Sequence, residues 1–328
     1  MRHAPCAAAV LLAGAQALSA SNLDVRIESG GQAAVKVGPG ATVPYDVVGE
    51  LSDNVNEGLA MFSLDLAFTG GPLLPANPPS ASPMLSFDKP DGVTNPAGFG
   101  GTASSGVLLQ VGGAQNTINN FLAPYPIGAV ATGVAQNGSP EVLVSGSLTT
   151  PYRVGTYTLS PADVMANAIR QGETGPPDTP FWRVDAAGAG TLTPLSVTVE
   201  ALTPAAPTVI VNQTVALQLD AGPANAGRHY RVLGSVTPGA NPRLIVPLQN
   251  DWYYQLTVTT PNSRILQNSS GVLNASGQAT ALFTPTRPFA GLTAFHAFYV
   301  NGTTIFVSNA ASVQVTSSTI PKPSFVRK

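Results

Sequence analysis

Charged residues make up only 10% of the 328 residues, against roughly a quarter in an ordinary globular protein. The Lys and Arg that exist are scattered rather than gathered in a stripe, which argues against nucleic-acid binding. Cysteine is nearly missing. Cys6 is the sole one and lacks the preceding run of small residues that lipid modification needs, so disulfides and thiol chemistry are absent from the rest of the chain. Histidine occurs only at His3, His229 and His296, with no HExxH spacing, which argues against a zinc centre. No apolar run reaches the about 20 residues that cross a bilayer as a helix.

What the chain has instead is Gly (33) and Pro (30), together with abundant Ser, Thr and Asn. Sparse charge with many turn formers points to short strands joined by tight turns. A hydrophobic fraction of 44% argues against disorder. The length is generous for one β-sandwich and comfortable for two.

The N-terminus has the features of an export signal. Arg2 and His3 precede a short apolar run from Ala7 to Ala15, and Ala15-Gln16-Ala17 fits small-x-small cleavage, giving an expected signal peptide over 1–17. Charge then divides. From Asp24 to Glu200 there are 15 acids against 6 Lys/Arg, a balance of −9. From Ala201 onward there are 2 acids against 8 Lys/Arg, a balance of +6. Two domains of opposite charge can attract each other, and two joined modules of separate ancestry would look the same.

Residues 23–37 and 43–51 alternate apolar and polar, and LAMFSLDLAF (59–68) puts Phe62, Leu64, Leu66 and Phe68 on one face, as a half-buried strand does. Residues 70–106 carry seven prolines and are expected to be a long loop. Strands are expected near 106–112, 128–135, 141–148, 152–159, 181–185 and 195–200. Ser160-Pro161 followed by Asp163, with apolar Val164, Met165, Ala168 and Ile169, predicts a short capped helix ending near Gly172, with an irregular strand as the alternative. Residues 202–207 (LTPAAP) are expected to be a linker between domains at 22–201 and 208–316.

The second domain offers strands near 208–219, 228–236, 252–259, 278–284, 292–300, 303–309 and 311–316, the spacing of an immunoglobulin-like sandwich. Asn301-Gly302 between two apolar runs predicts a two-residue type I′ hairpin, with the 292–300 strand central in its sheet. Residues 317–328 are expected to be a flexible tail. The fold class expected is all-β.

VPYDVVGEL (43–51), the Gly58-Leu59-Ala60 entry into FSLDLAF and the later VGTYTL strand resemble the cohesin-like (jelly-roll) sandwiches of secreted bacterial proteins, over roughly residues 23–201. The resemblance implies a receptor that binds a docking partner through one sheet face. LDAGPANAGRHYRVLGS (219–235), Gly277-Gln278-Ala279 and FHAFYV (295–300) are similar to a recurrent C-terminal module of secreted bacterial proteins, which implies structure or display.

Candidate chemistry is thin. Asp53, Asn54, Asn56 and Glu57 cluster before Gly58 and offer oxygen ligands for Ca²⁺, though their spacing is not that of an EF-hand and a self-capped turn explains them equally. Trp182, Trp252, Tyr253 and Tyr254 are candidates for a sugar-stacking surface, or for core. His229 or His296 with Asp220 or Asp251 and a serine could make a hydrolase triad on paper, but the strand–turn–helix serine elbow is missing. Nothing selects an acid pair for glycoside hydrolysis. Asn137, Asn212, Asn268, Asn274 and Asn301 stand in glycosylation sequons. The expected function is an exported, non-catalytic surface or extracellular protein that contacts an extracellular protein or polysaccharide. The alternative is a carbohydrate-binding accessory or glycoside-active enzyme.

Overall fold

Alternation along the strands builds the first half of the molecule. The computed structural model describes residues 21–53, 56–77, 100–114, 133–170, 174–175, 179–180 and 183–317. The expected signal peptide and all but Ser317 of the expected tail lie outside them. The first sandwich contains β1 (Asn22–Glu28), β2 (Ala34–Val37), β3 (Thr42–Leu51), β4 (Gly58–Phe68), β5 (Gly100–Ser104), β6 (Val107–Ala114), β7 (Glu141–Thr149), β8 (Gly155–Arg170), the two-residue pieces β9 (Thr174–Gly175) and β10 (Thr179–Pro180), β11 (Arg183–Thr193) and β12 (Leu195–Val199).

One layer runs β5-β6-β4-β8, and the other β11-β1-β3-β7. They are joined because β11 pairs β8 with its first half and lies parallel to β1 with its second. Leu23, Val25 and Ile27 of β1 and Phe62, Leu64 and Leu66 of β4 face one another across a single core.

Two expectations fail here for identifiable reasons. Residues 160–170 are strand, not helix. Ser160, Pro161 and Ala162 pair with Ala67, Leu66 and Asp65 of β4, and the register slips between Ser63 and Asp65. Asp163 takes φ 49 at that slip. The extra residue of a β-bulge shifts the period-two pattern by one, and the shifted apolar spacing imitates a helical one. The expected loop over 70–106 also contains strand β5, whose Gly, Thr and Ser composition hides it. Of the strand expected at 128–135, residues 128–132 lie outside the described residues, and 133–135 form a turn.

The second sandwich opens with β13 (Leu202–Pro204), β14 (Thr208–Ile210), β15 (Val215–Asp220) and β16 (His229–Ser235). Helix α1 (Trp252–Thr259) follows, then β17 (Leu266–Gln267), β18 (Ser270–Val272), β19 (Gln278–Phe283), β20 (Thr293–Val300), β21 (Phe306–Val307) and β22 (Ala311–Thr316). Its sheets run β13-β15-β19-β17 and β14-β22-β20-β16-β18, with β21 added on β20. Residues 202–204, expected as linker, are therefore a paired strand of this sandwich.

The segment 252–259 is a helix where its aromatic and β-branched residues predict a strand. Both ends are capped. Asp251 accepts the Tyr253 and Tyr254 amides at 3.0 Å each, and Arg231 donates to the Thr257 and Val258 carbonyls. An Asp N-cap and a cation at the C-terminal carbonyls complement the helix dipole, and tertiary packing overrides propensity. Asn301-Gly302 is not a type I′ turn, because neither residue has positive φ. The Asn301 amide instead continues the pairing with β16 by donating to the His229 carbonyl at 3.0 Å. The connection becomes five residues long, from Val300 to its partner Phe306. Strand β20 is central, flanked by β16 and β22.

The two bodies meet closely. The Tyr152 ring lies against Gly40 and Gly222, both at positive φ; a Cβ on Gly40 would stand 2.6 Å from that ring, and one on Gly222 would stand 2.5 Å from the Pro39 carbonyl oxygen. Only glycine fits such a conformation and approach. Val154, from the first sandwich, packs on the second core.

Candidate interaction surface

In the turn proposed for calcium, the Asn56 side chain is spent on its neighbours. The Asn56 side-chain amide donates to the Asp53 carbonyl and carboxylate at 2.8 and 2.9 Å, and its Oδ1 accepts the Gly58 amide at 2.9 Å. The Glu57 backbone joins Ile169 and Gly133. Asn54 lies outside the described residues. Among the described residues no three His, Cys, Asp or Glu side chains gather as a metal site, and the hydrogen bonds of Asn56 are those of the Asx capping that the sequence also allows.

The aromatic candidates separate. Trp182 lies outside the described residues. Tyr253 is fully buried, edge-on to Phe289 at 4.8 Å and to His296 at 5.7 Å. Tyr254 is buried with Leu233, Val246, Leu248 and Ala297 under the 240–250 loop. Neither ring can stack on a sugar. Of the described candidates only Trp252 stays half exposed, with one side on Phe289 at 5.0 Å.

The histidines do not assemble a triad. His229 is exposed at the start of β16. His296 is fully buried on β20 and meets the Tyr253 hydroxyl at 2.9 Å. Burial pushes its pKa down to about 3, so it is a neutral core residue. Asp251 is spent on structure. Burial raises its carboxyl, but hydrogen bonds from Tyr254, Ser235, Val236 and Thr237 outweigh that and hold it below its ordinary value.

The surface that stands out is the outward face of the β5-β6-β4-β8 layer. Along β4 the core takes Phe62, Leu64, Leu66 and Phe68, leaving Met61, Ser63, Asp65 and Ala67 outside. Register puts Ser63 between Gly112 and Met165, and Met61 between Ala114 and Asn167. Met165 is 62% exposed, with Met61 and Leu109 each a little over a third exposed. Diagonal neighbours on a sheet lie within reach of long side chains, so the two methionines form one patch. Asp65, which accepts the Gln110 amide at 2.8 Å, and exposed Asp163 lie beside it. Strands β4, β5 and β6 contain no Lys or Arg, and β8 contains only its last residue, Arg170. Sequence reasoning placed the apolar face of β4 inward and overlooked what its outer face exposes. The signal was there, since Met61 and Met165 sit at positions that alternation assigns to solvent.

No family model matches the chain, and no curated protein matches it. The solved structures it is similar to include cohesins and a pilin fragment. The sixth cohesin of scaffoldin B from Acetivibrio cellulolyticus, solved with a mutant dockerin, is 16% identical, covers 55% of this chain and 99% of its own, and has a TM-score of 0.30. The type II cohesin dyad of the adaptor scaffoldin of the same organism is 10% identical over 90% of this chain and 97% of its own, with a TM-score of 0.24. A C-terminal fragment of the major pilin of Streptococcus agalactiae is 9% identical over 89% and 91%, with a TM-score of 0.28. Superpositions this loose carry no functional weight. That burden falls on the chain's own surface.

Proposed function

We propose that this chain is an exported, non-catalytic scaffold or adhesion protein that holds a folded protein partner on the outward face of β5-β6-β4-β8. The single observation carrying this reading is the Met61–Met165 patch, placed on a sheet whose outward face also exposes Leu109, with Asp65 nearby and no cation on its strands but the terminal Arg170. Methionine is polarizable and adapts to the shape it meets, which suits a contact surface. A flat apolar patch rimmed by polar groups is a common mark of protein association. The signal-like first 17 residues support export. The cohesin-like motifs agree with partner binding through one sheet face.

The test uses the full chain immobilised against the secreted fraction, with captured proteins counted by mass spectrometry. Met165→Lys, at a site already in solvent, is expected to lower capture at least about tenfold, as loss of a central contact does. Equal capture by wild type and variant would reject the surface. Retention on polysaccharide that is lost on Trp252→Ala would favour the carbohydrate reading instead.

A further inference from the structure

A second exposed apolar feature lies at the junction of the sandwiches. A groove of about 640 Å³ runs between the 152–154 loop of the first sandwich and the 240–247 and 304–308 segments of the second. Tyr152, Ile245 and Ile305 leave between 44% and 47% of their surface in solvent within it, and Phe306 lies beneath. Arg153 lines it, and exposed Arg243 sits between two of its lining residues. Neither arginine is in an ion pair among the described residues, and no acid lines the groove. An apolar centre with tyrosine and arginine at its margin has the composition of an interface hot spot.

The outward face of β5-β6-β4-β8 is its complement. It has an apolar centre of Met61 and Met165, with Leu109 exposed on the same face and Asp65 and Asp163 nearby, where the groove has two isoleucines with Arg153 and Arg243. The same opposition holds at large scale, with −9 over residues 24–200 and +6 beyond. Face and groove belong to one body, since Tyr152 is wedged against Gly40 and Gly222.

We propose that the partner seated on the methionine face is a second copy of this chain, which engages it through the junction groove. This rests on the reading of that face as the partner seat. The contact is heterologous, since each molecule offers a different surface at its two ends of the contact. It therefore leaves one face and one groove unfilled on any dimer, and growth continues head to tail unless a ring closes.

Sedimentation velocity of the full chain, from low micromolar to several hundred micromolar, tests this. Wild type is expected to pass beyond dimer as concentration rises. Added salt should weaken association, because the rim pairs are exposed to screening. Met165→Lys and Ile245→Asp, both at exposed sites, should each be monomeric while keeping wild-type circular dichroism and unfolding midpoints. An equimolar mixture of the two variants should form dimers and stop there, because only one intact face and one intact groove remain. Arg243→Glu should weaken wild-type association about tenfold, as loss of a rim charge facing acids does.

A wild type that stays monomeric throughout, or a mixture of the two variants that stays monomeric while wild type associates, overturns the proposal. If wild type is monomeric but Met165→Lys abolishes capture of a separate extracellular protein, the scaffold reading survives and self-assembly falls. If Met165→Lys alters neither measurement, both fall.

Discussion

The core of the first sandwich is mainly aliphatic and spread along long ladders, with Leu23, Val25, Ile27, Val47, Leu64 and Leu66 contributing from three strands and both layers beside Tyr45, Phe62 and Phe68. The core of the second converges on rings. Tyr253 from α1, Phe283 from β19, Phe289 from the turn before β20 and His296 from β20 meet within 6.0 Å of one another where paired. Aliphatic burial is non-directional and roughly proportional to area, so its loss is graded. Edge-to-face ring pairs add about 0.5–1.5 kcal/mol each beyond burial and depend on geometry. The first sandwich thus leans on many interchangeable contacts, while the second adds to its aliphatic core a ring cluster whose members need one another.

Truncating one residue in each core should separate the two modes most sharply. Tyr253→Ala removes a ring with three aromatic neighbours and the buried partner of His296, and should destabilise the second sandwich by about 4–5 kcal/mol. Leu64→Ala should cost the first about 3 kcal/mol. Urea unfolding followed separately by Trp252 fluorescence in a Trp182→Phe background and by exchange of β4 amides would read each. Equal losses in both bodies, or one shared transition, would break the contrast.

A pH series sharpens it further. Folded His296 stays neutral, with its pKa lowered to about 3, whereas the unfolded chain takes up that proton near 6.5. The unfolded state therefore binds more protons as pH falls below about 6.5, and stability drops until about pH 3. Between about pH 7 and 5 the second sandwich should lose about 2 kcal/mol, and His296→Phe should remove most of that slope. Asp251, held below its ordinary value, acts in a lower window: its contribution is present above about pH 4 and lost as pH falls through its folded pKa.

The smallest expected effect lies at the join. Tyr152→Ala leaves both cores intact and should cost only about 1 kcal/mol, yet it removes the wedge against Gly40 and Gly222. Small-angle scattering should then show a broader distribution of distances than wild type. An unchanged distribution would mean that Val154 and the other junction contacts hold the bodies by themselves.

Much of this architecture is readable from residue order. Alternation in β1, β3 and β4 places the first core, and FHAFYV marks the central strand of the second. What escaped had a physical cause each time. The slip in β8 converts a strand pattern into an apparent helical one. Helix α1 is specified by Asp251 and Arg231, and Arg231 is twenty or more residues away from the carbonyls it caps. Asn301 is drawn into pairing with β16, which no local turn rule anticipates. The candidate surface was half legible: period two sends Met61 outward, but only the register of β4 with β8 shows that Met165 stands beside it.

In each sandwich a strand near the start lies alongside one near the end and runs in the same direction, β1 with β11 and β2 with β12 in the first, β14 with β22 in the second. Tension applied through the two chain ends of either body therefore slides these neighbours past each other, loading their rungs together instead of peeling them singly.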